Sequence, residues 1–184
     1  MADINLVKKE VSASRPDDAV APGHEEPPLQ WEIIELLFFA YRDFVGEADH
    51  VLEAFGFGRA HHRVVYFVHR NPGLTVADLL AVLRITKQSL GRVLKQLLDE
   101  GYIVQRAGDL DRRQRLLFAT EKGAALIAEL VRLQTRRILR ATQDLGPAEK
   151  LAVITFLRGM IDREETDKVL ERLLGYDKTA NKDQ

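Results

Sequence analysis

The chain has 184 residues, of which 46% are hydrophobic and 30% charged, and its formal net charge is −1. This length suffices for one sizeable core, or for a small domain with an assembly element, and the composition is that of an ordinary globular protein. The absence of cysteine excludes disulfides, thiolate zinc sites and thiol redox sensing within the chain. No apolar run approaches the roughly 20 residues that cross a bilayer, and the N-terminus lacks the pattern of a secretory signal. We therefore expect a cytoplasmic protein with no membrane partner.

The charges are unevenly distributed along the chain. Between Arg84 and Arg115 there are eight Lys/Arg and four Asp/Glu, a net charge of +4, whereas residues 1–30 carry a net charge of −3. A locally basic segment in a nearly neutral chain is typical of an element that contacts nucleic acid. A solvated charged face is the alternative interpretation, and it becomes weaker where the charges follow a motif.

The first 58 residues divide into two parts. Residues 1–28 contain four prolines, scattered acids and no sustained period, which predicts a disordered tail. From Leu29 to Phe55, apolar residues recur at spacings of three and four, which predicts a long amphipathic helix. Gly56 and Gly58 are expected to end this helix. We assign residues 29–58 to an N-terminal dimerisation helix.

The next segment has the pattern of a helix-turn-helix. A helix is predicted from Arg59 to Arg70, ended by the Asn71-Pro72-Gly73 turn. Thr75, with Asp78 three residues later, is expected to cap a short helix. After a brief turn, a further helix is predicted from a Thr86 cap to Glu100-Gly101.

A β-hairpin and two helices complete the predicted elements. Short β-like runs cover residues 102–106 and 114–119, separated by a polar turn. A long helix is predicted from Thr120 to about Gln143, and Gly146-Pro147 separates it from a final helix that runs to about Leu174. We assign residues 59–120 to a winged helix-turn-helix, 121–174 to C-terminal dimerisation helices and 175–184 to a polar tail.

The second helix of the helix-turn-helix has two faces of different chemistry. Its apolar residues lie at i, i+3, i+4, i+7 and i+8 from Leu90 and form one stripe for the core. The side chains on the opposite face are small or donate hydrogen bonds, and the N-terminal half of that face has no acidic residue. DNA recognition helices need this arrangement, because N-terminal side chains reach base edges and basic ones further along hold phosphates. We expect Gln88 to bond adenine, Arg92 to read guanine or hold a phosphate, and Gly91 to allow close approach of the backbone.

Acidic and basic residues cluster at the tip of the predicted hairpin and on its returning strand. An arginine at such a tip can enter a narrow minor groove, and Asp111 is placed to pair with Arg113 and fix its direction. A polar turn that only protects an exposed strand edge is the alternative, and beside the basic helix we favour it less. The predicted DNA-contacting residues are Thr75, Thr86, Lys87, Gln88, Ser89, Arg92, Lys95, Arg106, Asp111, Arg112, Arg113 and Arg115.

The stretch from Gly73 to Leu130 resembles the MarR (multiple-antibiotic-resistance regulator) family of winged-helix proteins. Several short motifs carry the resemblance in order: Asn71-Pro72-Gly73-Leu74-Thr75, Ile85-Thr86-Lys87-Gln88-Ser89-Leu90, Leu98-Asp99-Glu100-Gly101-Tyr102-Ile103, Asp111-x-Arg113 and Ala119-Thr120-Glu121-Lys122-Gly123. Family members usually have Leu-Thr where this chain has Ala119-Thr120. With the flanking helices, the resemblance covers about residues 30–174. It implies a homodimer on a pseudo-palindromic operator, often a repressor and often released by a small ligand.

The helices outside the motif point independently to a homodimer. The first helix and the last two are long and amphipathic, and a small winged domain with such a stem has little core per residue. Burial against a second copy is therefore the favoured use of their apolar faces, although packing within one chain remains the alternative. The predicted fold class is mainly α with a small β-hairpin wing, as a winged helix-turn-helix domain with a long-helix dimerisation domain.

The histidines and the first helix contain the candidate ligand-binding residues. The resemblance implies an effector cleft bordered by this region, and the tentative ligand-binding residues are Trp31, Phe38, Tyr41, Arg42, His61 and His62. Core packing is the commoner role of such aromatic residues, and solvated or capping histidines are favoured over a metal site. We predict no cofactor and no metal.

Three hypotheses of function follow from these patterns. The favoured one is a DNA-binding transcriptional regulator that responds to an unidentified small-molecule effector. The alternative is a winged-helix module for protein–protein contact without DNA. An enzyme is weakly supported, because the chain offers no glycine-rich phosphate loop, no cysteine nucleophile, no HExxH pattern and no clear Ser/His/Asp constellation.

Overall fold

Residues 28–108 and 113–161 are described by the computed structural model. In chain order their helices and strands are α1 (Trp31–Glu53), α2 (Arg59–Arg70), β1 (Leu74–Thr75), α3 (Val76–Leu83), α4 (Lys87–Asp99), β2 (Ile103–Ala107), β3 (Arg115–Ala119), α5 (Glu121–Ala141) and α6 (Pro147–Gly159). The predicted tails and the hairpin tip with Asp111 and Arg112 lie outside the described residues.

Helix α1 is shorter than the sequence pattern predicts, because the chain turns inward after Glu53. Gly56 has a φ of +66°, and the amide of Phe57 donates back to the Leu52 carbonyl at 3.0 Å. This turn brings the Phe57 ring into the core, where it is buried. The helix therefore ends at Glu53, although the apolar spacing in the sequence continues as far as Phe55.

The core lies where the second half of α1, the helix-turn-helix, the sheet and the first half of α5 meet. Helix α2 contributes Val64, Val65 and Val68, all fully buried, and its bounds coincide with those predicted. The other fully buried large side chains are Leu52, Leu79, Leu90, Leu97, Ile103, Leu117, Ile127 and Leu130. The first half of α1, the end of α5 and all of α6 lie outside this core.

Three threonines begin three successive helices by the same means. The hydroxyl oxygens of Thr75, Thr86 and Thr120 accept from the amides of Asp78, Ser89 and Gly123, at 3.2, 3.1 and 3.1 Å. Each bond satisfies a backbone donor that the first turn of a helix leaves without a partner. The capping roles predicted for Thr75 and Thr86 are confirmed.

The wing is a three-stranded antiparallel sheet in the order β1-β3-β2, where the sequence predicts only a hairpin. Strands β2 and β3 pair from Ile103↔Ala119 to Ala107↔Arg115, and Leu74 of β1 pairs with Leu117. The two residues of β1 are too few to show a period in the sequence. Their pairing with β3 fixes the base of the wing to the start of α3.

Helix α6 ends at Gly159, followed by a turn at Met160, so a continuous helix to Leu174 is wrong. Glycine costs about 1 kcal/mol relative to alanine within a helix, which favours termination at this point. None of its residues is buried. Among the helices of the described ranges, none combines the length and apolarity needed to span a bilayer.

Candidate DNA interface

Helices α3 and α4 are joined by a tight turn that begins at Arg84. Arg84 has a φ of +49°, the left-handed conformation, and its amide donates to the Leu80 carbonyl at 3.0 Å as α3 ends. Thr86 then caps α4 and donates its hydroxyl hydrogen to Ser89 Oγ at 2.9 Å. At the other end α4 is closed at Gly101, which has a φ of +74°. The Gly101 amide donates a hydrogen bond to the Leu98 carbonyl, and the Tyr102 amide donates one to the Leu97 carbonyl. Helix α4 is thus defined at both ends, as the sequence predicts.

Helix α4 has the buried back and the exposed front predicted for a recognition helix. Leu90, Val93, Leu94 and Leu97 are buried beneath it. The predicted contact residues Lys87, Gln88, Ser89, Arg92 and Lys95 are all exposed, as is the backbone at Gly91. Acidic side chains appear on this helix only in its last turn, where Asp99 forms an ion pair with Lys95. The N-terminal half of the front therefore presents donors and positive charge.

The wing carries arginines at the end of its hairpin that is next to the connecting turn. The Arg106 guanidinium lies over the Phe118 ring, 4.8 Å from its centroid, in a cation–π contact. Arg115 pairs with Ala107 at the last described position of the ladder, and Arg113 is exposed next to it. Because Asp111 and Arg112 lie outside the described residues, the predicted pair of Asp111 with Arg113 stays a prediction.

Thr75 differs from the other predicted contact residues because its hydroxyl is engaged within the fold. It donates to Asp78 Oδ2 at 2.7 Å while it accepts from the Asp78 amide. Its side chain is half-buried at the start of α3. Its predicted DNA contact stays a prediction, since the geometry accounts for this residue as a cap.

The candidate ligand-binding residues lie in three different settings. Trp31 and Phe38 are 65% and 71% exposed on the first half of α1, while Tyr41 lies 5.9 Å from the Arg59 guanidinium. Arg42 pairs with Asp43 at 2.8 Å, and this hydrogen bond lowers the pKa of the Asp43 carboxyl. The assignment of these residues to an effector cleft stays a prediction.

His61 caps α2, where the sequence favours solvated or capping histidines over a metal site. Its Nδ1 accepts from the Gly58 amide at 3.1 Å. Its Nε2 lies 2.9 Å from Gln96 Oε1 on α4, a contact that sequence reasoning missed because 35 positions separate the two residues. In the described part of the chain, no three His, Asp or Glu side chains are grouped as a metal site requires.

His62 is half-buried, and burial lowers its pKa, while Asp49 opposes this to a smaller extent. As the pH falls, the His62 imidazole is therefore protonated at a higher pH in the unfolded chain than in the folded protein. As the pH falls through the ordinary histidine value of about 6.5 and toward the lower folded value, stability is lost. We expect the urea midpoint of His62→Gln to fall less than that of the wild type between pH 7.5 and 5. His69→Gln, at the exposed end of the same helix, should retain the wild-type dependence, and an unchanged slope in His62→Gln would refute this explanation.

A short helix, a tight turn, a capped helix with a basic front and a β-sheet wing together define a winged helix-turn-helix protein. A family model described as "MarR family" matches residues 55–114. The HTH-type transcriptional regulator PetP of Rhodobacter capsulatus is 46% identical over 129 residues, which are 70% of this chain and 78% of that protein. The chain belongs to the MarR family and is a DNA-binding transcriptional regulator. This supports the favoured hypothesis and not the protein–protein module.

Solved structures share the fold at low sequence identity. The transcriptional regulator SlyA superposes with a TM-score of 0.60 at 17% identity, covering 79% of this chain and 99% of that one. FabT of Streptococcus pneumoniae, solved in complex with DNA, superposes with a TM-score of 0.63 at 17% identity, covering 71% and 93%. The winged-helix architecture is therefore that of known regulators of this family.

Proposed function

We propose that the protein binds a pseudo-palindromic operator as a homodimer, with α4 in the major groove and the wing in the adjacent minor groove. The observation that carries the proposal is the front of α4, which presents exposed donors and no acid over its N-terminal half. That FabT was solved with DNA supports the same use of this fold. A two-fold dimer sets its recognition helices about 34–36 Å apart, one turn of the duplex.

Within this proposal the predicted contact residues divide by role. Gln88 and Arg92 reach base edges, because both are exposed on the first two turns of α4. Lys87 and Lys95 hold phosphates, which position the helix without carrying sequence information. Arg113 enters the minor groove beside the hairpin tip. The remaining proposed contacts are Thr75, Thr86, Ser89, Arg106, Asp111, Arg112 and Arg115.

Apolar side chains exposed on one chain support the homodimer. Large apolar side chains are exposed along the first half of α1, and every residue of α6 is exposed. A surface this apolar is expected to be covered in the assembled protein. The larger exposed side chains of these elements, and of the two residues that follow α6, are Trp31, Ile33, Ile34, Leu36, Phe38, Phe39, Tyr41, Leu151, Val153, Ile154, Phe156, Leu157, Met160 and Ile161.

Leu157→Glu tests the proposed dimer. Leu157 is 52% exposed in one chain, so a glutamate is tolerated in an isolated subunit, whereas an unpaired charge in a dimer interface costs several kcal/mol. We expect the mass measured by analytical ultracentrifugation to fall from that of two chains to that of one. Lys150→Glu introduces the same side chain in the first turn of α6 and should leave the dimer intact. A Leu157→Glu protein that still sediments as a dimer would exclude α6 from the interface.

Operator selection tests the DNA-binding proposal and the wing together. Genomic fragments retained by the full-length protein should share two inverted half-sites about one helical turn apart. Arg113→Ala should bind such a fragment roughly 100-fold more weakly, since each arginine contact contributes about 1–3 kcal/mol and the dimer makes two. The dimer should persist in this variant. Wild-type affinity in Arg113→Ala would exclude this residue from the groove.

The same proposal includes an unidentified small-molecule effector near α1 and α2. Its candidate contacts are Trp31, Phe38, Tyr41, Arg42, His61 and His62. Trp31 is the single tryptophan of the chain, so its fluorescence reports directly on binding at this place.

A further inference from the structure

We infer that His61 is a positioning residue for the recognition helix, and that DNA affinity depends on its hydrogen bond from Nε2 to Gln96. The inference rests on the proposed use of α4 as the DNA-reading helix. It reassigns His61 from a candidate ligand contact to a link between the start of α2 and the C-terminal part of α4.

The His61 ring is fixed in place by an aromatic stack. It lies parallel to the Phe57 ring, with centroids 4.7 Å apart and an interplanar angle of 9°. Phe57 is itself buried and meets the Tyr102 ring edge-on at 4.9 Å. The imidazole therefore stands on a core aromatic cluster rather than on a mobile surface.

The two ring nitrogens have opposite roles. The Gly58 amide donates to Nδ1, so that nitrogen carries no hydrogen in the bonded ring. The hydrogen of the neutral imidazole is then on Nε2, which donates to Gln96 Oε1 at 2.9 Å. The Gln96 amide nitrogen donates in turn to Glu100 Oε1 at 2.8 Å, which orients its oxygen toward His61.

Gln96 occupies a position from which it controls the orientation of α4. It is half-buried at the boundary between the buried back and the exposed front, one turn beyond Arg92. Apolar contacts beneath α4 are not directional, whereas a hydrogen bond at its edge opposes rotation about the helix axis. A rotation displaces Arg92 and Gln88 from the bases, so the link from His61 supports recognition without touching DNA.

Two substitutions separate the hydrogen bond of His61 to Gln96 (the link) from its hydrogen bond to the Gly58 amide (the cap). In His61→Asn the amide oxygen is two bonds from Cβ, as Nδ1 is, so the Gly58 bond can persist and the Gln96 bond is lost. In His61→Gln the amide nitrogen is three bonds from Cβ, as Nε2 is, so the Gln96 bond can persist and the cap is lost. Both variants lose the stack on Phe57, which makes them matched controls for each other.

Operator affinity of the full-length protein, measured by fluorescence anisotropy, tests the link. We expect His61→Asn and Gln96→Leu each to raise Kd by about five- to tenfold, the range of one hydrogen bond, and His61→Gln by less than twofold. The His61→Asn/Gln96→Leu double variant should be no weaker than either single variant. Equal losses in His61→Asn and His61→Gln, or additive losses in the double variant, would overturn the inference.

Amide hydrogen exchange without DNA separates failure of the link from failure of the proposed function. Exchange in residues 92–96 should be faster in His61→Asn and Gln96→Leu than in the wild type, and unchanged in His61→Gln. If the wild type binds no duplex, the proposed function fails while these rates still test the link. Unchanged exchange in His61→Asn would contradict it.

Discussion

Gly123→Ala is expected to lower the melting temperature by about 6–12 °C, which corresponds to a loss of roughly 3 kcal/mol. A Cβ at this position would lie 2.2 Å from the Tyr102 carbonyl oxygen and 3.2 Å from its carbon. Backbone cannot give way as the end of a flexible side chain does. The first turn of α5 must therefore move away from the chain that links α4 to β2.

This movement would break several further contacts at the same corner. Thr120 donates through its hydroxyl to the Gly101 carbonyl at 2.7 Å and through its amide to Tyr102 at 3.1 Å. Lys122 donates to the Glu100 carbonyl at 3.0 Å, with its ammonium 4.0 Å from the Tyr102 ring centroid. The corner holds the C-terminal end of α4 against α5, so DNA binding should weaken with stability.

Gly91→Ala is the matched control for this prediction. Gly91 lies within α4, and a Cβ there meets nothing within 4 Å. Alanine should stabilise the helix by about 1 kcal/mol and raise the melting temperature by roughly 2–4 °C. Thermal unfolding followed by circular dichroism gives both values. Similar melting temperatures for Gly123→Ala and the wild type would contradict the close packing of α5 on Tyr102.

Arg92→Ala is expected to reduce operator affinity about 100-fold while changing the melting temperature little. A bidentate contact to guanine discriminates by about 1–3 kcal/mol, and a dimer makes the contact in both half-sites. Arg92 is exposed on α4 between Ser89 and Gln96, so its removal leaves the core intact. Binding to unrelated duplex should fall much less than binding to the operator.

Lys95→Ala distinguishes base reading from phosphate contact. Lys95 lies one turn further along α4, where it pairs with Asp99. Its proposed contact is to a phosphate, which carries no sequence information. Its loss should weaken operator and unrelated DNA by the same factor. Equal weakening of both DNAs by Arg92→Ala would show that Arg92 also holds a phosphate and reads no base.

Features fixed by neighbouring residues were predictable from the sequence. The bounds of α2, the caps at Thr75 and Thr86 and the two faces of α4 depend on residues within one or two turns. Their physical causes are helix periodicity and the hydrogen bonds of the first turn, which a linear sequence displays.

Features that depend on distant residues were not predictable in this way. Strand β1 exists because Leu74 meets Leu117, and α1 ends where Phe57 enters the core. The hydrogen bond between His61 and Gln96 likewise joins two helices, and the apolar spacing in the sequence predicts each helix but not their contact. These three features depend on contacts between residues that are far apart in the sequence. The pattern of neighbouring residues does not indicate which distant residue each one will contact.

A salt titration of the wild-type protein on a selected operator fragment tests the central claim most directly. If Lys87, Lys95 and Arg115 hold phosphates in both subunits, six contacts are made, and log K should fall against log salt with a slope of about −5. Arg92→Ala should lower the affinity for the operator at every salt concentration and have little effect on unrelated duplex. Absence of binding to any duplex at low salt, or an affinity that does not change with salt, would contradict DNA recognition by α4 and the wing.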